Sequence, residues 1–185
     1  MKNYKTVVAV VMIFCAFTAN AQFKFGLAAG VNMNSWQGDV GSSVSAKTGF
    51  HGGFMAEFKL PVKLGIEADL LYSLKGTELS FASIKENQNL AYLDLPIVGK
   101  WYMFKIASLQ LGVQYSQLLS ATSAGTSIKD QFKAADFAYV AGVGVDVLKF
   151  HAALRYTASL TSISVDSQAE IKNGGFMLTA GFWLK

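Results

Sequence analysis

Leu109-Gln110-Leu111-Gly112-Val113-Gln114-Tyr115-Ser116 is the stretch whose reading decides the fold. Leu109, Leu111, Val113 and Tyr115 share one phase, and Gln110, Gly112, Gln114 and Ser116 share the other. Successive side chains of a strand point to opposite faces, so this period of two predicts a strand with one apolar and one polar face.

Seven further segments carry the same pattern. Their apolar phases are Phe23, Phe25, Leu27, Ala29, Val31 and Met33; Phe50, Phe54, Ala56, Phe58 and Leu60; Leu64, Ile66, Ala68, Leu70 and Tyr72; Leu93, Leu95, Ile97, Trp101 and Met103. Phe137 to Val147, Phe150 to Leu160 and Phe176 to Leu184 continue it at every second residue or nearly so. The opposite phase is rich in glycine, hydroxyl and charged residues, among them Gly30, His51, Gly142, His151 and Thr179.

The connections have a rhythm of their own. Pro61-Val62-Lys63, Phe104-Lys105 and Leu148-Lys149 are tight, whereas residues 35–47, 76–89, 120–135 and 162–173 are long and polar. Short and long connections alternate strictly, as the periplasmic turns and outer loops of an outer-membrane barrel do. Eight antiparallel up-and-down transmembrane strands with both termini in the periplasm follow as the expectation. A soluble barrel with its apolar phase inside would force roughly 40 apolar side chains into a lumen only just wide enough for ordinary packing. Turning that phase toward lipid removes the conflict, and closure satisfies every backbone group within the bilayer. Phe25, Phe58, Trp101, Phe150 and Phe182 then form one interfacial belt. Phe50, Tyr72, Tyr115, Phe137, Tyr156 and Phe176 form the other.

The composition agrees. Of 185 residues, 52% are hydrophobic and 15% charged, which excludes a disordered tail. Lys2 and Lys5, the unbroken apolar run 7–17 and Ala19-Asn20-Ala21 have the three-part build of a secretory signal peptide. The run is shorter than the roughly 20 residues a membrane helix needs. Cys15 ends that run, but bulky Phe14 precedes it, against a lipoprotein cleavage site. We therefore expect a signal peptide over 1–21 and an outer-membrane β-barrel domain over 22–185. Cleavage removes the single cysteine, and with it thiolate chemistry. It leaves 14 basic and 12 acidic residues, a net charge of +2, which is too weak for nucleic-acid binding.

Nine charged residues share the inward phase: Lys24, Glu57, Lys59, Glu67, Asp69, Asp94, Lys100, Asp146 and Arg155. Charges in a narrow lumen must be paired and hydrogen-bonded, so these residues are expected to form an ion-pair network that plugs the barrel. A lipid-modifying active site is the alternative use of the same carboxylates, and it needs a histidine near a serine or carboxylate. His51 and His151 fall near opposite ends of the barrel, on the order of 20 Å apart at ~3.3 Å per residue. They cannot share a metal. His51 could reach only a loop serine such as Ser42, Ser43 or Ser45. Asp39, Asp130 and Asp166 have no metal-ligand spacing. No catalytic, cofactor or metal residue is assigned, and the chain is expected not to be an enzyme. Lys63, Lys105 and Lys149, one in each short turn, suit either solubility or anionic headgroups of the inner leaflet. Pro96 removes a ladder donor, so a bulge or weakened pairing is expected there.

Three stretches resemble the PorT-like outer-membrane β-barrel family of Gram-negative bacteria. Gly26-Leu27-Ala28-Ala29-Gly30-Val31-Asn32 is similar to its first-strand G-x-x-x-G-V-N. Tyr92-Leu93-Asp94-Leu95-Pro96 with Lys100-Trp101 is similar to Y-L-E-I-P…K-Y, and Arg155-Tyr156 with Leu160-Thr161-Ser162-Ile163 to R-Y-x-x-x-L-x-N-I. Asp94, Trp101 and Ser162 replace the family's Glu, Tyr and Asn. The resemblance implies a barrel of the outer membrane with a structural or interaction role, its outer loops as the contact surface. It also implies, as an alternative, an accessory place in an outer-membrane protein secretion system. The partners expected are outer-membrane lipid, the barrel-assembly machinery during insertion and other envelope proteins.

Overall fold

A computed structural model describes residues 22–37, 43–81, 84–123, 126–127, 134–160 and 172–185. The expected signal peptide, the loop aspartates Asp39, Asp130 and Asp166, and Thr161-Ser162-Ile163 lie outside these residues. So do the side chains of Ser42, Ser43 and Ser45.

The described residues form β1 (Gln22–Gln37), β2 (Ser43–Lys59), β3 (Leu64–Phe81), β4 (Ile84–Tyr102), β5 (Ala107–Ser123), β6 (Thr126–Ser127), β7 (Ala135–Val147), β8 (Phe150–Ser159) and β9 (Lys172–Trp183). Every pairing is antiparallel. The two-residue β6 pairs only with the tip of β5, through Thr122 and Ser123. The other eight strands run β1-β2-β3-β4-β5-β7-β8-β9 around a ring, and β1 pairs with β9 to close it. This is the eight-stranded barrel that the alternation predicts.

The polarity is inverted relative to a soluble protein. On the outside, Leu111 is 71% exposed and Phe150 64%, while Arg155 and Lys100, inside, are each 1% exposed. Along β7 the burial pattern alternates residue by residue. Aromatic rings meet on the outer face in directly opposed cross-strand pairs: Phe150–Phe182 at 5.5 Å near one end, Tyr115–Phe137 and Tyr156–Phe176 at 5.1 Å near the other. Such pairs add about 0.5–1.5 kcal/mol each beyond their buried area in aqueous measurements.

One expectation needs correction. Residues 35–47 and 76–89, read as loops, largely continue the ladders, and β3 and β4 stay paired out to Phe81 and Ile84. A tilted membrane strand needs about 9–11 residues. At 18 and 19 residues, β3 and β4 therefore stand well clear of the bilayer at the long-connection end, whereas β8 and β9 have 10 and 12. At Pro96, where a bulge or weakened pairing is expected, the pairing is weakened and no bulge forms. The β3–β4 ladder is interrupted between the pairs Ala68–Ile97 and Leu71–Asp94 and resumes in the same register. The irregularities fall elsewhere, between Ala46 and His51 and between Ala91 and Tyr92.

The short turns are tight enough to strain the backbone. Val147 pairs with Phe150 around the two-residue turn Leu148-Lys149, and Leu148 has φ 55°. That is the first central position of a hairpin turn, where glycine is favoured. Lys63, in the β2–β3 turn, has φ 60°.

Candidate functional site

Tight hairpins and strict alternation bring side chains from all eight barrel strands into one lumen, where they form three groups. The central group is built on two cations. Lys100 Nζ, on β4, donates to Glu67 Oε2 at 2.8 Å, Asp146 Oδ2 at 3.1 Å and Glu57 Oε2 at 3.2 Å. Arg155, on β8, donates from Nη1 to Asp69 Oδ2 at 2.6 Å, from Nε to Gln110 Oε1 at 2.6 Å and from Nη2 to Glu67. Glu67 is therefore shared by both cations. Tyr102 closes the group by donating its hydroxyl to Glu57 and to Asp146 Oδ2. Asp146 Oδ1 meets Trp183 Nε1 and His151 Nδ1, each at 2.9 Å.

Glu57, Glu67, Lys100 and Arg155 are buried to within 1% exposure. Isolated charges could not exist there, and each is held by several charge-assisted contacts. The network also crosses the ring. Arg155 on β8 faces Glu67 and Asp69 on β3, the strand diametrically opposite.

The second group lies toward the long-connection end. Lys75 Nζ pairs with Asp94 at 2.8–2.9 Å and sits 4.8 Å from the Tyr92 ring centre. His51 joins β2 to β1 through Asn32 Oδ1 at 2.7 Å and, one strand further on, to β9 through Thr179 Oγ1 at 3.0 Å. Gly30 makes room for it, since a Cβ there would lie 2.6 Å from the imidazole. The third group is apolar. Ala28, Met55, Leu71, Met177 and Trp183 cluster on the inner wall of β9, β1, β2 and β3. Met55 lies over Gly181, where a Cβ would come within 2.8 Å of its sulfur.

The nine residues predicted to face inward are thus divided. Glu57, Glu67, Asp69, Lys100, Asp146 and Arg155 meet in one network. Asp94 belongs to a separate pair with Lys75. Lys24 and Lys59 are half-buried and, among the described residues, reach no carboxylate. Each instead lies over an aromatic ring, Lys59 3.9 Å from the Tyr102 centre and Lys24 5.5 Å from that of Trp183. Nor is the lumen wholly polar, because Met55, Leu71 and Met177 fill the side the ionic cluster leaves. Tyr102 and Trp183 are not among the inward residues expected from charge alone. Their phase, opposite to Trp101 and Leu184, carried the correct signal. No group of three or more metal-ligating side chains occurs among the described residues.

An apolar exterior the height of a bilayer around an ionic interior defines a small outer-membrane barrel. Residues 18–165 match the family model for the outer membrane protein beta-barrel domain, and the chain belongs to that family. In fold it is similar to Ail, the attachment invasion locus protein of Yersinia pestis, in complex with the heparin analogue sucrose octasulfate. That likeness has a TM-score of 0.56 and 16% identity, and covers 88% of this chain and 99% of that one. A second structure of Ail gives 0.55 with the same identity and coverage. The outer membrane protein OprG of Pseudomonas aeruginosa gives a TM-score of 0.48 at 12% identity, covering 89% of this chain and 95% of its own. No curated protein matches the chain.

Proposed function

We propose that this chain is a plugged outer-membrane barrel with a structural or interaction role rather than an enzyme or an open pore. Residues 1–21 are removed as a signal peptide, the short turns and both termini face the periplasm, and the extended hairpins of β1–β5 form the outer contact surface. The observation that carries the reading is the cross-lumen network of Lys100 and Arg155 with Glu57, Glu67, Asp69 and Asp146. Contacts that run from β8 to β3 and from β4 to β2 and β7 support a closed axis at that level. A non-catalytic role is supported by His51, both of whose ring nitrogens are occupied by Asn32 and Thr179, and by the burial of His151, which is paired with Asp146 but only 3% exposed.

The test is reconstitution into planar bilayers, where the intact protein is expected to give no steady large conductance. A stable wide pore overturns the plug. Lipid A profiles are expected to be the same with and without His51.

A second reading rests on the PorT-like motifs. Tyr92, Asp94, Lys100 and Arg155, four residues that carry the resemblance, all face the lumen and hold its ionic groups. A PorT-like accessory role in protein export predicts stable co-purification with other envelope proteins in mild detergent. Recovery of the barrel alone after cross-linking argues against it.

A further inference from the structure

The three turn lysines are not equivalent. A cavity of about 740 Å³ opens at the short-turn end between the β2–β3 and β4–β5 turns. Lys59, Lys63 and Lys105 line it, together with Leu60, Met103 and Phe104, and no carboxylate does. Lys149 lies in the third short turn and is not part of it. The convergence of three cations on a cavity that no carboxylate lines suits an anionic group, with Lys63 and Lys105 outermost from the carboxylates of the lumen, and the apolar rim suits something attached to that group.

The adjoining barrel wall supplies the continuation. A depression of about 640 Å³ runs over the lipid-facing side of β3, β4, β5 and β7, bounded by Leu60, Leu64, Ile66, Trp101, Leu109 and Leu111. Its floor is low because Gly99 and Ala141 stand where neighbouring outward positions carry large side chains. Leu60 lines both hollows, and Trp101 of the groove is followed directly by Tyr102 and Met103 of the cavity. From Met103 to Gly99 the groove follows four residues of β4, roughly 13 Å at strand rise.

We propose that this composite hollow is a binding site for one anionic phospholipid of the inner leaflet. The headgroup phosphate sits among Lys59, Lys63 and Lys105, and an acyl chain lies in the groove over Gly99. A soluble anion would leave the groove unused, and a zwitterionic lipid would leave the three lysines without a net counter-charge. The leaflet assignment rests on the orientation proposed above; the site itself does not.

The test is native mass spectrometry of the detergent-purified protein titrated with dioleoyl phosphatidylglycerol or dioleoyl phosphatidylcholine, which is blind to orientation. The wild-type protein is expected to retain phosphatidylglycerol preferentially. The double variant Lys63→Gln/Lys105→Gln is expected to lose about thirtyfold of that preference, while Lys149→Gln keeps it. Gly99→Phe fills the groove and is expected to weaken retention of the whole lipid. The ladder tolerates a side chain there, because a Cβ at Gly99 meets only the Leu111 carbonyl oxygen at 3.6 Å. Unchanged heat-modifiable gel migration of each variant verifies the fold. Three results overturn the proposal: equal loss on Lys149→Gln, which makes the effect general surface charge; no loss on Gly99→Phe; or displacement of the lipid by glycerol phosphate at equal concentration, which makes the site one for a free anion. Accessibility of a cysteine at position 149 in whole cells tests the orientation separately.

Discussion

Arg155 Nη1 lies 2.6 Å from Asp69 Oδ2, although the two residues are 86 positions apart in the chain and belong to strands on opposite sides of the ring. The same guanidinium holds Glu67 and Gln110. It acts as a strut across the lumen rather than as a local cross-strand pair.

Arg155→Met is expected to be strongly destabilising, because it leaves buried Asp69 without a cation and Glu67 with Lys100 alone, while keeping most of the side-chain volume. Removing one partner of a buried ion pair costs about 3–5 kcal/mol. Unfolding in urea, followed by the gel shift of the folded barrel, measures it. Glu67→Gln and Asp69→Asn introduced into the Arg155→Met background should recover much of the loss, since the uncompensated charge is then gone.

Truncation should open what the network closes. Lys100→Ala combined with Arg155→Ala removes both buried cations and the longest lumen side chains. Single-channel recording is expected to show conductance in this double variant and none in the wild type. If the double variant folds by gel migration and stays silent, the apolar group of Met55, Leu71 and Met177 blocks the lumen by itself.

Two glycines should respond oppositely to the same change. At Gly30 a Cβ would collide with the Leu178 carbonyl oxygen and lie 2.6 Å from the His51 ring, whereas at Gly99 it makes one ordinary contact. Gly30→Ala is expected to reduce the yield of folded barrel and loosen the His51–Thr179 bond, whereas Gly99→Ala leaves yield and stability unchanged. Folded fraction by gel migration after refolding separates the two.

Leu148→Gly is expected to stabilise the barrel. Leu148 is 91% exposed, so almost no packing is lost, and its φ of 55° is costly for a residue with a Cβ. Relief of the left-handed conformation is worth about 1 kcal/mol, reduced somewhat by the extra freedom of glycine in the unfolded chain. The urea midpoint reads the change.

The barrel was legible because its physics is local. Leu109 to Ser116 alternates at a period of two, and the alternation of short and long connections orders the strands without any tertiary information. The inward phase located Glu67, Lys100, Asp146 and Arg155 for the same reason. What phase cannot tell is how far a side chain reaches along the axis. Lys24 and Lys59 have the phase of Lys100 but lie nearer the mouth, where aromatic rings rather than carboxylates await them. Asp94 lies too far toward the other end to join the central group, and its partner Lys75 stands just beyond the last residue assigned to the alternating pattern of its strand, next to a stretch read as a loop. The hollow shared by Leu60, Lys63 and Gly99 was invisible because it joins two turns and the backs of four strands that only closure brings together.

That β1 is zipped to β9 has a consequence for biogenesis. The ring lacks its last member until the final dozen or so residues have left the ribosome. A product terminated before Lys172 would carry two raw margins, each with a row of amide and carbonyl groups that hydrocarbon cannot solvate. Joining β1 to β9 is therefore the single event that removes both margins at once.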